Sequence, residues 1–430
     1  MEETIVGEIN ISNEENQFFK DNIKHLKNVN ELFYQNLDKD VTNLIKVLIV
    51  GTIILKGSDI HIEPSEDKTD IRLRVDGMLV NLAEITSEKY RKILSRIKLL
   101  SRLKLNVEKE AQDGRFSINF DESEIEIRTS SLPSEYGEAV VMRILNPKNL
   151  ISLQELGLRS DLEKTFNEQI EKPNGMIIVT GPTGSGKTTT LYAFLKNISK
   201  PENKVITIED PIEYHLKGIT QTQVDEKKGY TFADGLRSIV RQDPDAILVG
   251  EIRDKETAET AIQAALTGHL VLSTLHTNDA VGSIARLIAL GEIPTNIAPA
   301  INIVIAQRLI RKVCPHCIKL ENINTEELEM FKKELANLGS SIEIPELNDS
   351  IKIPKAQGCE FCNGTGYKGR VGIFEALVMD DEIKDAMLSD SGVKLKEKAI
   401  HKGMITIKQD GLIKVLKQET TLQEIKRVAG

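Results

Sequence analysis

The feature that most constrains the fold is a set of short, continuous apolar runs separated by longer stretches with helical periodicity. The runs are GMIIVT (175–180), KVITIED (204–210), DAILVGE (245–251) and HLVLSTL (269–275). A strand buried on both faces of a parallel sheet shows this pattern, because helices cover both sides of such a sheet. Residues 157–430 are therefore predicted to form an α/β domain.

The N-terminal third has a different periodicity. Residues 41–56 carry apolar side chains over most of a helix surface, which predicts a buried helix, and SDIHIEP (58–64) begins a series of segments that alternate apolar and polar residues as strands do. We therefore predict a small α+β domain at 41–145. A short acidic segment precedes it at 1–40, and a linker that begins with Asn-Pro follows at 146–156.

Composition excludes several classes of protein. The chain of 430 residues is 40% apolar and 28% charged, so it can bury more than one core and is not a disordered chain. Its net charge of −9, its lack of tryptophan and its aromatic content of 4% argue against a dedicated nucleic-acid binder. No signal peptide is recognisable, and the longest apolar stretches, 48–55 and 301–306, are too short to span a membrane. We expect a cytoplasmic protein.

A phosphate-binding loop follows the first apolar run. GPTGSGKT (181–188) fits G-x-x-x-x-G-K-[ST] at every fixed position, and it lies between a predicted strand and a predicted helix. Its glycines let backbone N–H groups converge on an anion, and the helix adds its positive end. Lys187 is expected on the β- and γ-phosphates and the Thr188 hydroxyl on Mg²⁺. The predicted nucleotide-binding residues of the loop are Gly181, Pro182, Thr183, Gly184, Ser185, Gly186, Lys187, Thr188 and Thr189.

Hydrolysis also needs groups that polarise water and stabilise charge, and the other strand ends offer them. Acidic residues lie at or just after the ends of the second and third runs, at the sheet edge where open α/β sheets bind ligands. One histidine begins the fourth run and another follows it, and two hydroxyl residues within that run are candidate sensors of the γ-phosphate. The candidates are Glu209, Asp210, Glu213, Glu251, His269, Ser273, Thr274 and His276. Singly, each also fits an ordinary structural or solvated residue.

The four cysteines form two Cys-x-x-Cys pairs, CPHC (314–317) and CEFC (359–362). Four thiolates at this spacing are typical of a closed, structural Zn²⁺ site. Cys314, Cys317, Cys359 and Cys362 are therefore the predicted zinc ligands, within a module at 311–372. His316 is not expected to bind the metal, because four sulfurs complete the shell. Two disulfides are the alternative, which a reducing compartment disfavours.

With these motifs the chain resembles the ATPases of type II secretion and type IV pilus assembly, which are hexameric motors. The resemblance covers about residues 50–430. It is carried by SDIHIEP, RVDG, QDGR, GPTGSGKTTTLY, ITIEDPIEY, QTQV, the run 236–280, AQRL, the four cysteines and GYKGRVGIFE. It implies a RecA-like P-loop domain, a small PAS-like N-terminal α+β domain and a tetracysteine metal module.

The resemblance also implies roles for individual residues. The family's Asp box falls on Glu209, Asp210 and Glu213, its Walker B motif ends on Glu251, and its His box contains His269 and His276. Either Glu209 or Glu251 would polarise the attacking water, with the other on the metal side; we favour Glu251 slightly for the metal. Family arginines that reach the γ-phosphate fall on Arg128 and Arg143, and others near the site fall on Arg237 and Arg241. Strand-face salt bridges are the alternative role for Arg128 and Arg143.

The chain departs from the usual family pattern at Glu110, Ala111 and Ala139, which lowers the number of arginines near the domain interface. The predicted function is a hexameric Mg²⁺-ATP-hydrolysing motor for a type IV pilus or a type II secretion pseudopilus. Its expected partners are a polytopic membrane-platform protein at the cytoplasmic face of the membrane and a cytoplasmic docking protein. A DNA-uptake or conjugative ATPase and a non-hydrolysing nucleotide-gated scaffold are the alternatives.

Overall fold

A computed structural model describes residues 7–339, 342–389 and 392–430 of the chain, without the side chains of residues 389, 392 and 393. These residues form two compact units. Unit 1 comprises Met1–Asn149 in its described part, Cys314–Cys317 and Gln357–Lys368. Unit 2 comprises Leu150–Val313, Ile318–Ala356 and Gly369–Gly430. Both cysteine pairs thus belong to unit 1, whereas most of the chain between them, Ile318–Ala356, belongs to unit 2.

The described part of unit 1 contains a seven-stranded sheet. Its strands are β1 (Glu8–Asn10), β2 (Asp59–Pro64), β3 (Thr69–Val75), β4 (Met78–Ile85), β5 (Gln112–Phe120), β6 (Ser123–Ser134) and β7 (Gly137–Leu145). They are arranged in the order β1-β5-β6-β7-β2-β3-β4. The pair β1–β5 is parallel and the other pairs are antiparallel, with a tight turn at Asp76 and Gly77 joining β3 to β4.

Four helices accompany this sheet: α1 (Asn13–Asn22), α2 (Leu26–Asn36), α3 (Val41–Ile54) and α4 (Ser87–Leu100). The predicted buried helix is confirmed as α3, which Asp40 caps by accepting a hydrogen bond from the Asn43 N–H group at 3.1 Å. A Cβ on Gly51 would lie 2.6 Å from Val29, so glycine allows α2 and α3 to pack closely. Through β1 and α2, the acidic segment that we set apart in the sequence is packed into unit 1.

Unit 2 is built around a second seven-stranded sheet. Its strands are β8 (Gly175–Thr180), β9 (Val205–Glu209), β10 (Thr220–Gln223), β11 (Ala246–Val249), β12 (Leu270–Leu275), β13 (Ile301–Val313) and β16 (Tyr367–Val378). The strands β14 (Ile318–Asn322) and β15 (Lys352–Ala356) form a separate antiparallel pair. The order is β10-β9-β11-β12-β8-β13-β16. The pairs from β10 to β13 are parallel, so β8 lies between β12 and β13.

Helices cover this sheet on both faces. They are α5 (Ser160–Ile170), α6 (Lys187–Ile198), α7 (Phe232–Val240), α8 (Lys255–Leu266), α9 (Ala280–Ala289), α10 (Pro294–Ala300), α11 (Thr325–Glu334), α12 (Asp381–Ser389), α13 (Gly392–His401), α14 (Ile407–Leu416) and α15 (Leu422–Ala429). Ile177 and Val179 of β8 contribute to one hydrophobic core, and Met176 and Ile178 contribute to the other. The predicted parallel α/β sheet with two buried faces is confirmed.

In the described ranges, no helix combines the length and the apolar character that crossing a bilayer requires.

Candidate nucleotide and metal sites

The phosphate-binding loop connects the carboxyl end of β8 to the first turn of α6. Gly186 caps α6 with a φ of 90°, a left-handed conformation that favours glycine. Gly181 has a φ of 150°, and a Cβ there would lie 2.5 Å from the Gln307 carbonyl oxygen of β13. Glycine therefore lets the loop backbone pass close to the neighbouring strand. In unit 2, the predicted strand–loop–helix arrangement is present.

Lys187 lies over the loop that precedes it. Its Nζ donates to the carbonyl oxygens of Gly181 and Pro182, at 2.9 and 3.3 Å. Burial lowers the pKa of Lys187 and the charge of Arg308 lowers it further, while the charge of Glu251 opposes both effects. The ammonium group is thus held among weak acceptors, with a carboxylate in its field.

Several features of the loop fit a nucleotide phosphate. Pro182, Thr183, Gly184 and Thr188 are exposed, while Thr189 is half-buried. The buried Ser185 hydroxyl has no hydrogen-bond partner among the residues described. An unpartnered hydroxyl beside the free N–H groups of a helix start is suited to an anionic oxygen. The exposed Thr188 hydroxyl in the first turn is the group that would bind Mg²⁺.

Glu209, at the end of β9, is buried and engaged through both oxygens. Its Oε1 accepts from Thr207 Oγ1 at 2.6 Å and from Gln221 Nε2 at 3.2 Å, and its Oε2 accepts from the Tyr192 hydroxyl. Burial and the negative charge of Glu209 raise the pKa of Tyr192. Because Tyr192 belongs to α6, this contact fixes the Asp-box carboxylate to the helix that begins at Lys187.

Glu251 follows β11 and connects two further strand ends. Its Oε2 lies 3.3 Å from His276 Nε2, just beyond β12, and its Oε1 pairs with Arg253. Arg253 also lies 3.9 Å from Asp210, the residue after β9. Hydrogen bonding to Glu251 raises the pKa of Arg253. These side chains and Lys187 form a charged edge at the carboxyl ends of neighbouring strands. The acidic candidates Asp210 and Glu251 were predicted from the sequence to lie at this edge.

The other acid and hydroxyl candidates have defined positions. Glu213 is half-buried in the segment after β9. The hydroxyl groups of Ser273 and Thr274 donate to the carbonyl oxygens of Val249 and Gly250, each at 2.8 Å. These two hydroxyls therefore join β12 to the end of β11 and are occupied in this structure.

His269 is not brought to this edge. It precedes β12, and its Nδ1 lies 3.0 Å from the carbonyl oxygen of Ala264 in α8. Since six residues of strand separate it from His276, the two histidines lie about 20 Å apart, at opposite ends of β12. Of the two His-box residues, His276 is the one beside the phosphate loop.

Arg237 and Arg241 also lie away from the loop within unit 2. Arg237, on α7, pairs with Asp234 at 3.1 Å and with Glu256 of α8. Arg241 donates to the Arg237 carbonyl oxygen at 3.0 Å. Together with Gln263 and Thr267, these arginines line a shallow cavity of about 280 Å³ between α7 and α8.

Arg128 and Arg143 are directly opposite each other on β6 and β7 of unit 1. The same cross-strand row continues to Arg115 on one side and to Asp59 and Arg74 on the other. Asp59 accepts from Arg143 Nε at 3.0 Å and lies 3.3 Å from Arg74 Nε. The sheet therefore presents a row of arginines with the buried Asp59 carboxylate among them. Arg128 Nε also pairs with Glu126 Oε1 at 3.0 Å, so both Arg128 and Arg143 form the strand-face salt bridges of the alternative role.

The four cysteine sulfurs converge in unit 1, all within 4.8 Å of one another. The Sγ atoms of Cys314 and Cys359 are 3.9 Å apart, those of Cys317 and Cys362 are 3.8 Å apart, and those of Cys359 and Cys362 are 3.7 Å apart. Tetrahedral Zn²⁺ with bonds of about 2.3 Å requires sulfur separations of about 3.8 Å. The cysteines are unbonded, so the cluster fits a metal shell and not the disulfide alternative.

Backbone groups prepare Cys362 for metal binding. Its sulfur accepts hydrogen bonds from the N–H groups of Cys359 and Gly366, at 3.1 and 3.2 Å. Burial alone would raise the pKa of this thiol, but such hydrogen bonds lower it to about 7. The His316 ring stacks on Phe361 with centroids 3.9 Å apart, which gives it a role other than that of a ligand.

Two residues beside the phosphate loop received no role from the sequence. Gln307 accepts from Thr190 of α6 at 2.7 Å, and Arg308 donates to the Asn278 carbonyl oxygen at 2.8 Å. Both follow Ala306, which pairs with Thr180 at the end of β8. Their only sequence signal was the AQRL run (306–309), which contributed to the family resemblance without a stated role.

Comparison with known proteins identifies the family. The family model described as type II/IV secretion system protein matches residues 35–427. The chain belongs to this family. It is 43% identical to type II secretion system protein E of Aeromonas hydrophila over 392 residues, which is 91% of this chain and 76% of that protein. It is 44% identical to the type IV pilus assembly ATPase PilB of Thermus thermophilus over 384 residues, 89% of this chain and 42% of PilB.

Two solved structures have the same fold. The pilus retraction motor PilT with bound ADP aligns with a TM-score of 0.58 and 28% identity, over 88% of this chain and 95% of PilT. The Legionella pneumophila ATPase DotB aligns with a TM-score of 0.65 and 21% identity, over 90% of this chain and 95% of DotB, which supports the fold alone. The predicted RecA-like fold class, the family and the assignment as a secretion-family ATP hydrolase are confirmed.

Proposed function

We propose that this chain is a Mg²⁺-dependent ATPase that works as a hexamer and drives assembly of a type IV pilus or a type II secretion pseudopilus. The observation that carries the proposal is the shared edge of unit 2, where Lys187 of the phosphate loop lies in the field of Glu251 and His276 Nε2 lies 3.3 Å from the Glu251 carboxylate. The sequence similarity to type II secretion system protein E and to PilB supports a pilus or a pseudopilus as the filament that the motor assembles. No described feature favours the DNA-transport or scaffold alternatives.

The loop residues hold and orient the nucleotide. The N–H groups at the start of α6 and the Lys187 ammonium bind the β- and γ-phosphates, and Thr188 holds the metal. Bound Mg²⁺ supplies charge neutralisation at the phosphates. Glu251, the carboxylate in the field of Lys187, is assigned to the metal side. Glu209 is assigned to the attacking water, with Tyr192, Thr207 and Gln221 fixing its orientation.

Positive charge from unit 1 is the regulated component of the proposal. Arg128 and Arg143 stand in one row of the unit 1 sheet, and Asp59 holds the Arg143 guanidinium. A guanidinium that reaches the terminal phosphate only when the ring closes accelerates hydrolysis and couples it to movement. His269, Arg237 and Arg241 lie away from the loop of their own unit 2, and we propose that they act at contacts between subunits.

The cysteine cluster is proposed to hold one Zn²⁺ with a closed shell of four thiolates. A closed shell has no position for substrate, so the metal stabilises the fold. Asn363, next to Cys362, accepts a hydrogen bond from the Leu26 N–H group at the start of α2, at 3.1 Å. The metal module is thereby joined to the N-terminal helices of unit 1.

The remaining parts of the proposal concern partners. We propose that the hexamer works at the cytoplasmic face of the membrane through a polytopic platform protein, assisted by a cytoplasmic docking protein. The net charge of −9 is consistent with a machine that does not contact nucleic acid directly.

The test is the Mg²⁺-ATPase activity of the full chain, measured over a range of protein concentrations together with the mass of the assembly. We expect activity per chain to rise as rings form. Lys187→Ala should abolish hydrolysis, whereas Lys196→Ala, on the exposed side of the same helix, should leave it unchanged. Hydrolysis by Lys187→Ala at the wild-type rate would refute the phosphate-loop assignment. A wild-type ring that binds ATP without hydrolysing it would favour a scaffold.

A further inference from the structure

Arg308 occupies a position that its place in the sequence does not reveal. It extends from β13, on one side of β8, and its Nη2 donates to the Asn278 carbonyl oxygen at 2.8 Å, in the segment after β12 on the other side of β8. Its side chain therefore crosses the carboxyl end of β8, where the phosphate loop begins. A Cβ on Gly181 would lie 3.1 Å from Arg308 Nη1.

The hydrogen bonds of Arg308 in this structure go to neutral groups. Nη1 donates to the Gln307 carbonyl oxygen at 3.0 Å, and Nη2 donates to Asn278. Within the described residues, Arg308 has no carboxylate in salt-bridge contact. A guanidinium has five N–H groups arranged to bind carboxylate or phosphate in pairs, so most of its donor capacity remains for another acceptor.

The two nearest carboxylates have partners of their own. Asp279 pairs with Lys396 at 2.7 Å and accepts from the Gly282 N–H group at the start of α9. Glu375 is buried and accepts from the Ala280 and Ile407 N–H groups, at 2.9 and 3.4 Å. Both carboxylates therefore act on Arg308 only through their field.

Arg308 and Lys187 also act on each other. The charge of Arg308 adds to the effect of burial in lowering the pKa of Lys187. Two half-buried cations at one glycine-rich loop repel each other, and an anion between them relieves the repulsion. The loop motif places Lys187 on the β- and γ-phosphates, so the same end of the nucleotide is the anion that would lie beside Arg308.

We propose that Arg308 is a phosphate-binding residue of the nucleotide site, acting with Lys187 on the terminal phosphates of a nucleotide bound to the same unit 2. The proposal rests on the proposed function, because it assumes that the loop binds a nucleoside triphosphate. Under this proposal, Arg308 of unit 2 contacts the terminal phosphates in addition to Arg128 and Arg143, the arginines expected from unit 1. The alternative is a purely structural tether between β13 and the segment after β12.

The test is calorimetric binding of AMP, ADP and a non-hydrolysable ATP analogue, with Mg²⁺, to the full-length protein. A lost charge-assisted contact should weaken ADP and the ATP analogue by about 10- to 100-fold in Arg308→Ala. AMP lacks the terminal phosphates, so its affinity for Arg308→Ala should equal its affinity for the wild type. Arg286→Ala, an exposed change on α9, is the control and should alter none of the three.

Four results decide between a phosphate contact and the alternatives. Equal affinities of wild type and Arg308→Ala for the ATP analogue would overturn the proposal. Equal losses for AMP and the ATP analogue, together with a lower melting temperature, would show a structural tether. If Arg308→Ala does not fold, Arg308→Lys decides, since it keeps the charge and should retain part of the preference for the ATP analogue over AMP; a preference equal to that of the wild type would refute a guanidinium contact. Failure of Lys187→Ala to weaken ATP binding would instead refute the underlying function.

Discussion

His276 and Glu251 are held together across two strands, with His276 Nε2 3.3 Å from Glu251 Oε2. The second oxygen of Glu251 pairs with Arg253, so both sides of the carboxylate are oriented. The charge of this carboxylate reaches Lys187. The His box and the Walker B motif, separate in sequence, thus meet as one contact beside the phosphate loop.

Glu251→Gln should lower kcat for ATP hydrolysis by roughly 100-fold or more while leaving ATP binding within a few-fold of the wild type. The amide removes the charge that would hold the metal side of the site but preserves the shape of the side chain. Steady-state hydrolysis and calorimetric ATP binding measure the two effects. Glu259→Gln, an exposed change on α8, should alter neither. A Glu251→Gln enzyme with normal kcat would remove Glu251 from the site.

Tyr192→Phe should reduce kcat several-fold without a matching change in ATP affinity, because it releases one oxygen of Glu209 from α6. Loss of a hydrogen bond to a buried carboxylate should also cost about 1–3 kcal/mol of unfolding free energy. Denaturant unfolding and kinetics give the two values. The control is Tyr136→Phe, since Tyr136 is exposed. Unchanged kcat alongside lowered stability would leave Tyr192 with a structural role only.

Freshly purified, reduced protein should contain about one zinc ion per chain, measured by elemental analysis. Cys317→Ser should lose the metal and lower the melting temperature, because metal binding contributes to folding. His316→Ala should retain the metal, since His316 stacks on Phe361. Zinc-free wild-type protein, or zinc loss in His316→Ala, would contradict the assignment of four thiolate ligands.

Glu424 should make unfolding pH-dependent at low pH. Burial alone would raise its pKa, but hydrogen bonds from Arg427 and Arg311 lower it from 4.5 to about 2. A depressed folded-state pKa gives stability that is present above pH 4.5 and is lost as the pH falls towards 2. The lowered pKa of Glu424 corresponds to a contribution of about 3 kcal/mol to the free energy of unfolding at neutral pH.

Denaturant unfolding between pH 6 and pH 2.5 tests this contribution. We expect Glu424→Gln to be less stable than the wild type at pH 6 and the difference to shrink as the pH falls. Glu397→Gln, an exposed change on α13, should follow the wild type. A difference that stays constant with pH would mean that the arginines contact Glu424 without stabilising its charge.

The architecture of unit 2 was predictable because its strands have local signatures. Each central strand is a short apolar run, and parallel pairing brings the residues after each run to one edge. This argument predicted that Glu251 and His276 would lie at the same edge of the sheet, where their side chains are 3.3 Å apart. It also separates His269 from His276, since all six residues between them are buried strand, yet the family's His box groups the two histidines by sequence alone.

Other features depend on long-range pairing, which no local pattern records. Arg308 joins the phosphate loop because β13 pairs with β8, and β1 is a strand of three residues that pairs with β5, far along the chain. The hydrogen bonds of Glu209 come from three separate elements. In the local sequence such residues look like ordinary polar residues, so their contacts can be recognised only in the tertiary structure.

The position of β13 beside β8 has a consequence for synthesis. The ribosome completes the phosphate loop well before it makes Gln307 and Arg308, whose strand flanks that loop. At about 5–20 residues per second, the intervening stretch of roughly 120 residues takes about 6–24 seconds to translate. During that interval the nascent loop at first lacks both strands that flank β8, and after β12 has been made it still lacks β13. Cellular ATP can therefore stabilise the complete site only late in translation.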